Sequence, residues 1–445
     1  MKIAVITLGC PKNLVDTEVM LGILSDAGHE FVGEPACADV VIVNTCSFIA
    51  AAVQESREVI EECIELKESG AVERVVVAGC LPQRYGERTW KMFPGVDAVV
   101  GCSDFEAIAE AVEEVARGER VFRVNEPEAL YDETSPRVLG TPAHLAYVKI
   151  ADGCDNRCAY CTIPSLRGRL RSRDPDSVVR EVKELAGAGV REINLIAQDT
   201  TAYGTDIASD VTLPALLSAL DDTGVPWIRV LYTHPAHVTD ELLSALAGLP
   251  SIVPYLDMPI QHIADGVLER MGRKTSGDHI RSIVSRAREK VPGIAIRSGV
   301  MTGFPGESEK DFDELLEFLS AGNIDHLGVF EFSPEEGTAA CGLPDAVDPL
   351  VARERARTLI DVMEGVTESR GLELVGRDVT VMVDALDPGG RVAEARTPGQ
   401  AWEMDGVVAV SLSGGASSEV PAAGDLLEVT VTGAAGFDLE ARHAG

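Results

Sequence analysis

Tyr147-Val-Lys-Ile-Ala-Asp-Gly-Cys-Asp-Asn-Arg-Cys-Ala-Tyr-Cys161 joins a strand-like run to three cysteines spaced C-x3-C-x2-C. Cys154, Cys158 and Cys161 thus offer three thiolates from one tight loop. A cubane iron–sulfur cluster has four irons, and four cysteines close it. Three leave one iron free to bind something else. A structural zinc site is four-coordinate, and the nearest histidine, His144, lies ten residues upstream. A disulfide strands an odd cysteine in a chain with no sign of export. Spacing and ligand count favour the open cluster.

The same loop, with the aromatic Tyr160 before its last cysteine, resembles that of the radical S-adenosylmethionine (SAM) enzymes. The resemblance implies that the open iron chelates SAM through its amino and carboxylate groups. One electron then cleaves a carbon–sulfur bond and releases a 5′-deoxyadenosyl radical. Chemistry of this kind belongs to the cofactor, and the protein supplies position and a dry cavity. Asp155, Asn156 and Arg157 either hydrogen-bond the sulfurs and shape the loop or form an ordinary polar turn.

With 445 residues, two to four domains are expected. No stretch approaches the apolar length of a membrane span. The N-terminal run Met1–Leu8 is too short and strand-like for a signal peptide, so a cytoplasmic protein is expected. In that compartment ten cysteines read as ligands, catalytic groups or small buried residues. A net charge of −33 repels polyanions and attracts a basic partner, although acidity also simply serves solubility.

Residues 1–126 alternate β-branched runs (Ile3–Leu8, Val40–Val43, Val75–Val77, Ala98–Val100) with helical patterns, predicting a doubly wound parallel α/β domain. Three runs end in cysteine: Cys10, Cys46 and Cys80. The carboxyl edge of such a sheet binds ligands, so these thiols are a candidate second cluster site, although strand-end cysteine is more often packing. Gly9-Cys-Pro-Lys-Asn13, Asn44-Thr-Cys-Ser-Phe48 and Gly79-Cys-Leu-Pro-Gln83 resemble the cysteine motifs of the methylthiotransferases, a radical SAM subgroup. In that family these cysteines hold a cluster implicated in supplying sulfur. Cys37, Cys63, Cys102 and Cys341 match no motif and are expected to be structural.

Residues 127–142 carry three prolines and no periodicity, as a linker does. Residues 143–370 repeat strand and helix six times, predicting an open or partial (β/α)6 barrel with its site on the loops after the strands. Those loops hold Gln198-Asp-Thr200, Tyr232-Thr-His-Pro235, Pro259-Ile-Gln-His262 and Thr302-Gly-Phe-Pro-Gly-Glu307. By position and resemblance Tyr160, Gln198, Thr302 and Gly303 are the expected SAM contacts. His234 and His262 read equally well as hydrogen-bonded strand-end histidines. Arg167, Arg169, Arg171 and Arg173 form a burst that fits internal ion pairs better than ligand clamps.

From Gly371 to Gly445 alternating apolar and polar strands predict a small antiparallel barrel, in the position of the TRAM domain of the same family. TRAM domains commonly bind RNA. Here twelve acids, Glu419 among them, face four arginines and no lysine, whereas an RNA-binding barrel carries a basic stripe.

The resemblance therefore implies two 4Fe-4S clusters and SAM. It leaves two branches, thiomethylation of a tRNA adenosine or of an aspartate β-carbon in ribosomal protein uS12. The Gly-Cys-Pro-Lys-Asn motif and the acidic barrel favour uS12, a basic protein, over tRNA. A non-catalytic iron–sulfur sensor or electron carrier is the alternative of a different class. Electron donor and ultimate sulfur source are not readable.

Overall fold

The structure, a computed structural model, describes residues 1–207, 210–412 and 420–443. Its first part is a six-stranded parallel sheet of β1 (Lys2–Thr7), β2 (Glu30–Phe31), β3 (Val40–Thr45), β4 (Arg74–Gly79), β5 (Ala98–Gly101) and β6 (Val121–Arg123), ordered β2-β1-β3-β4-β5-β6. Every residue of β3 is buried, as a parallel strand covered on both faces requires. Helices Pro11–Asp26 and Ile108–Ala116 pack on one face and Ala50–Glu68 on the other. Strand order reverses between β1 and β3, opening the ligand crevice of a doubly wound sheet.

Next come β7 (Leu145–Lys149) and a two-residue antiparallel pair, β8 (Ala151–Asp152) with β9 (Arg171–Ser172), which brackets the cysteine loop. Strands β10 (Glu192–Ile196), β11 (Trp227–Val230), β12 (Tyr255–Asp257), β13 (Ala295–Thr302) and β14 (His326–Glu331) follow. They form two parallel triplets, β7-β10-β11 and β12-β13-β14, bridged by Ile228 and Ile252. This is the open six-unit array that the sequence pattern predicts.

The last five strands, β15 (Asp378–Leu386), β16 (Val392–Arg396), β17 (Val408–Leu412), β18 (Leu426–Ala435) and β19 (Asp438–His443), close a barrel in the order β15-β16-β17-β19-β18. One feature corrects the expectation of an antiparallel barrel. β17 pairs with β19 in parallel, because a closed ring of five strands cannot alternate direction all the way round. Glu419 lies outside the described residues.

The three parts share buried surface. One apolar cluster runs from Val15 and Val19 through Tyr147, Trp227 and Tyr255 to Met382 and Ala401. Segment 127–142 has no helix or strand, yet it is bolted down. Tyr131 is buried and accepts a hydrogen bond from the Lys149 amide, while Arg137 binds Glu18 at 2.5 Å and Glu181 at 2.6 Å. Arg396 fastens the barrel to the core through a buried pair with Glu192 on β10 and is itself held within the barrel by Asp384 on β15, both at 2.7 Å. Among the described residues no helix is long and apolar enough to cross a membrane.

Candidate active site

Each of the three N-terminal cysteines follows a strand of the first sheet. Cys10 is the N-cap of Pro11–Asp26, and Pro11 is tolerated because the first turn needs no N–H there. Cys80 opens helix Cys80–Tyr85. The Cys46 amide donates to the Ser56 hydroxyl, which donates back to the Cys46 carbonyl. Asn13 links the loops: its Nδ2 donates to the carbonyls of Leu8 (3.0 Å) and Thr45 (2.8 Å). Gly9 has φ +94°, and a Cβ there would meet Cβ of Cys46 at 2.6 Å. Only glycine lets the Cys10 and Cys46 loops approach so closely.

The second triad lies on the loop after β7. The Cys154 amide donates to Gly168, the Ala159 amide to Met271, and the Ile163 amide to the Cys161 sulfur at 3.4 Å. Between the cysteines, Asn156 donates to Asp199 Oδ2 (2.7 Å), whereas Asp155 meets the exposed Arg169. The loop residues therefore have separate fates, one anchored inward and one at the surface.

All six cysteines line one cavity of about 580 Å³, with Lys12, Asn13, Tyr160, Arg167, Gln198 and Tyr232 among its walls. Burial pushes the thiol of Cys154 up to about 11 and those of Cys46 and Cys161 up to about 12. Cys80 is drawn down to about 6, first by a hydrogen bond with Cys102 and also by the Arg167 guanidinium. Thiols that resist ionisation when apo are deprotonated by a metal centre on binding. Neither triad brings its three sulfurs mutually within 4.8 Å, the spacing a single ion needs. Two sets of three cysteines around one cavity fit two multi-iron clusters.

Asp199, His234 and His237 do come together within that distance, but each already holds hydrogen-bond partners. Asp199 accepts from Asn156, from the Thr201 hydroxyl (2.5 Å) and from His237 Nδ1 (2.9 Å), and His234 Nδ1 accepts from the Ala236 amide. Burial holds His234 down to about 3, so it stays neutral. The cluster thus anchors the cysteine loop through Asn156. Asp199→Ala is expected to lower the rate of SAM cleavage about 10–100-fold, as loss of an outer-shell partner does. Anaerobic 5′-deoxyadenosine assays on matched iron loads check it.

Of the expected SAM contacts, Tyr160 and Gln198 line the cavity. Tyr160 stacks edge-on against Phe304, and its hydroxyl lies 3.5 Å from Arg273. Gln198 donates to Asp152 and leaves its buried Oε1 unpartnered. Thr302 and Gly303 do not line it. The Thr302 hydroxyl donates to the Ala352 carbonyl at 2.9 Å, and a Cβ on Gly303 would meet Cβ of Ala352 at 2.3 Å. Their strand end is covered by helix Pro349–Glu373.

The arginine burst resolves mostly into ion pairs. Arg167 binds Asp16 (2.7 Å), Asp152 (3.3 Å) and Asn13, and Arg173 binds Glu181. Arg171 instead donates to backbone carbonyls. Cys102 is buried, its thiol donating to the Leu166 carbonyl at 3.2 Å. His262 is buried against Glu307. Sequence reasoning passed over Lys12, Arg273 and Asp257. Lys12 had a signal, its place two residues after Cys10, but nothing in the sequence shows where its ammonium points.

Residues 2–101 match the family described as Uncharacterized protein family UPF0004, residues 148–319 the Radical SAM superfamily, and residues 375–443 the TRAM domain. The chain is 42% identical over 443 residues to the ribosomal protein uS12 methylthiotransferase RimO of Geobacter sulfurreducens, covering 98% of this chain and 97% of the relative. It is 44% identical over 408 residues to that of Heliobacterium modesticaldum, covering 91% and 88%. Among solved structures, the radical SAM methyltransferase TsrM of Kitasatospora setae superposes with a TM-score of 0.56 at 19% identity, covering 76% of each chain, a likeness of fold. Order of parts, paired cysteine triads and full-length identity agree: the chain belongs to the RimO family of radical SAM methylthiotransferases.

Proposed function

We propose that this chain replaces a β-hydrogen of an aspartate in ribosomal protein uS12 with a methylthio group. The shared cavity carries this reading, because it exposes Cys154, Cys158 and Cys161 and also Cys10, Cys46 and Cys80 to the same space. When bound there, the two 4Fe-4S clusters supply the electron that cleaves SAM and the sulfur that is inserted, and a second SAM supplies the methyl group.

The chain's own residues provide confinement. A β-hydrogen on sp³ carbon is too weakly acidic for a side-chain base tuned near neutral pH, so the site must protect a radical. Ile49, Ile163 and Leu166 give the cavity apolar walls that exclude water. Phe48 and Phe330 line it while still exposed, offering apolar edges to an entering polypeptide. Tyr160 and Gln198 lie beside the second triad, where SAM must sit.

Partner choice follows charge. The described part of the barrel and its approach, residues 371–443, exposes nine carboxylates against three arginines, because Arg396 is buried in its ion pairs. Such a surface repels tRNA and receives a basic protein. The named relatives are uS12 enzymes. Ten unpaired cysteines fit a reducing cytoplasm. Anaerobically reconstituted enzyme, given SAM and reductant, is expected to add a methylthio group to a uS12 loop peptide and leave tRNA unmodified. Modified tRNA beside an unchanged peptide overturns the assignment.

A further inference from the structure

Lys12 is 7% exposed and lies on the first turn of the helix that starts beside Cys10. Its ammonium sits 2.8 Å from the centroid of the Tyr232 ring. It has no hydrogen bond or ion pair among the described residues. Arg273, 9% exposed and in the same cavity wall, also lacks a carboxylate among the described residues but donates to the Pro259 carbonyl. Lys149, Arg167, Arg173, Arg229 and Arg396, all 2% exposed or less, each hold a carboxylate within 3.1 Å.

The groups that most favour the Lys12 charge are the Cys10 thiol and then Asp257, and that carboxylate is taken. Asp257 accepts from the Tyr232 amide at 2.8 Å and faces Arg297 at 3.5 Å. An ammonium removed from water without a partner is expensive, and one aromatic face returns only part of that cost. Tyr232 itself is held at φ 61°, a left-handed conformation rare for a bulky residue. The fold therefore holds a desolvated cation against the face of a strained aromatic residue. The space beside it is the cavity walled by both cysteine triads.

We infer that Lys12 is the receptor for the side-chain carboxylate of the substrate aspartate. This deepens the uS12 reading and rests on it. The carboxylate carbon is bonded directly to the β-carbon, so holding one fixes the other. Lys12 stands two residues from Cys10, on the side from which the sulfur comes. An anchored carboxylate thus presents the carbon to be substituted between the radical-forming and sulfur-bearing sides. The same contact excludes a neutral nucleobase, which leaves the ammonium unpaired. Lys12 is a specificity-determining residue in this account.

The test uses reconstituted holoenzyme and fluorescent uS12 loop peptides bearing Asp, Asn or Ala at the target position. Wild type is expected to bind the Asp peptide about 10–100-fold tighter than the Asn peptide, the scale of a charge-assisted hydrogen bond. Lys12→Gln should bind both equally, with its iron content retained, and Lys12→Arg should restore part of the preference. Wild type without an Asp preference overturns the inference whatever the variants do. So does Lys12→Gln that keeps the preference, or that loses its iron, since Lys12 then supports the cluster instead. Wild type that modifies no uS12 peptide overturns the substrate reading, a failure recognisable before any variant is examined.

Discussion

Replacing Cys10, Cys46 and Cys80 together by alanine is expected to abolish thiomethylation while 5′-deoxyadenosine is still formed from SAM. The three residues approach the cavity from strands β1, β3 and β4, whereas Cys154, Cys158 and Cys161 share one loop after β7. That loop is held by its own bonds to Gly168, Met271 and Asp199, none of which comes from the first sheet. Losing the N-terminal thiols therefore leaves the radical-forming loop in place. Iron should fall from about eight to about four atoms per chain, one cubane's worth. Alanine at Cys154, Cys158 and Cys161 should remove the other four and stop SAM cleavage itself. A triple N-terminal variant that still thiomethylates its substrate contradicts the division of labour.

Arg167→Met is expected to have the largest effect on stability. Arg167 and Lys149 share Asp16 and Asp152 in a fully buried four-charge network between helix Pro11–Asp26 and the central strand array around β7. Asp152 is held well below the usual carboxylate range against the opposing effect of burial, chiefly by Lys149 and Arg167. Removing one cation leaves buried carboxylates undercompensated, a loss of about 3–5 kcal/mol, visible as a lowered melting temperature. Lysine at this position should not restore it, because a point charge cannot reach Asp16 and Asn13 together. Arg169→Met, in the same sequence burst but at the surface, should leave the melting temperature unchanged. An equal loss from both variants contradicts the network's role.

Those two arginines also show what sequence reading can and cannot reach. The burst is obvious, and ion pairing is the sound expectation, but alternation alone does not say which guanidinium enters the interior. Strands β3 and β4 were legible because parallel strands buried on both faces become unbroken β-branched runs. β2 and β6 were not, since two or three residues carry no period. β19 escaped because its buried side is only Leu439 and Ala441 between charged residues. The six candidate cluster cysteines stood out by spacing and strand position, and so did Thr302 and Gly303, which lie outside the cavity wall. A strand end is open only if no later helix covers it, and helix Pro349–Glu373 does. Lys12 was within a quoted motif, yet its role depends on Tyr232, far along the chain and in an unusual backbone conformation.

Both cysteine triads face one cavity, so radical and sulfur act on the same substrate carbon. Electron paramagnetic resonance on the fully reduced, reconstituted enzyme tests it directly. Two clusters across a cavity of about 580 Å³ should couple, giving a broadened or split spectrum. That spectrum should not equal the sum of those from the two triple-cysteine variants. A wild-type spectrum that is simply that sum would contradict the shared cavity and the mechanism built on it.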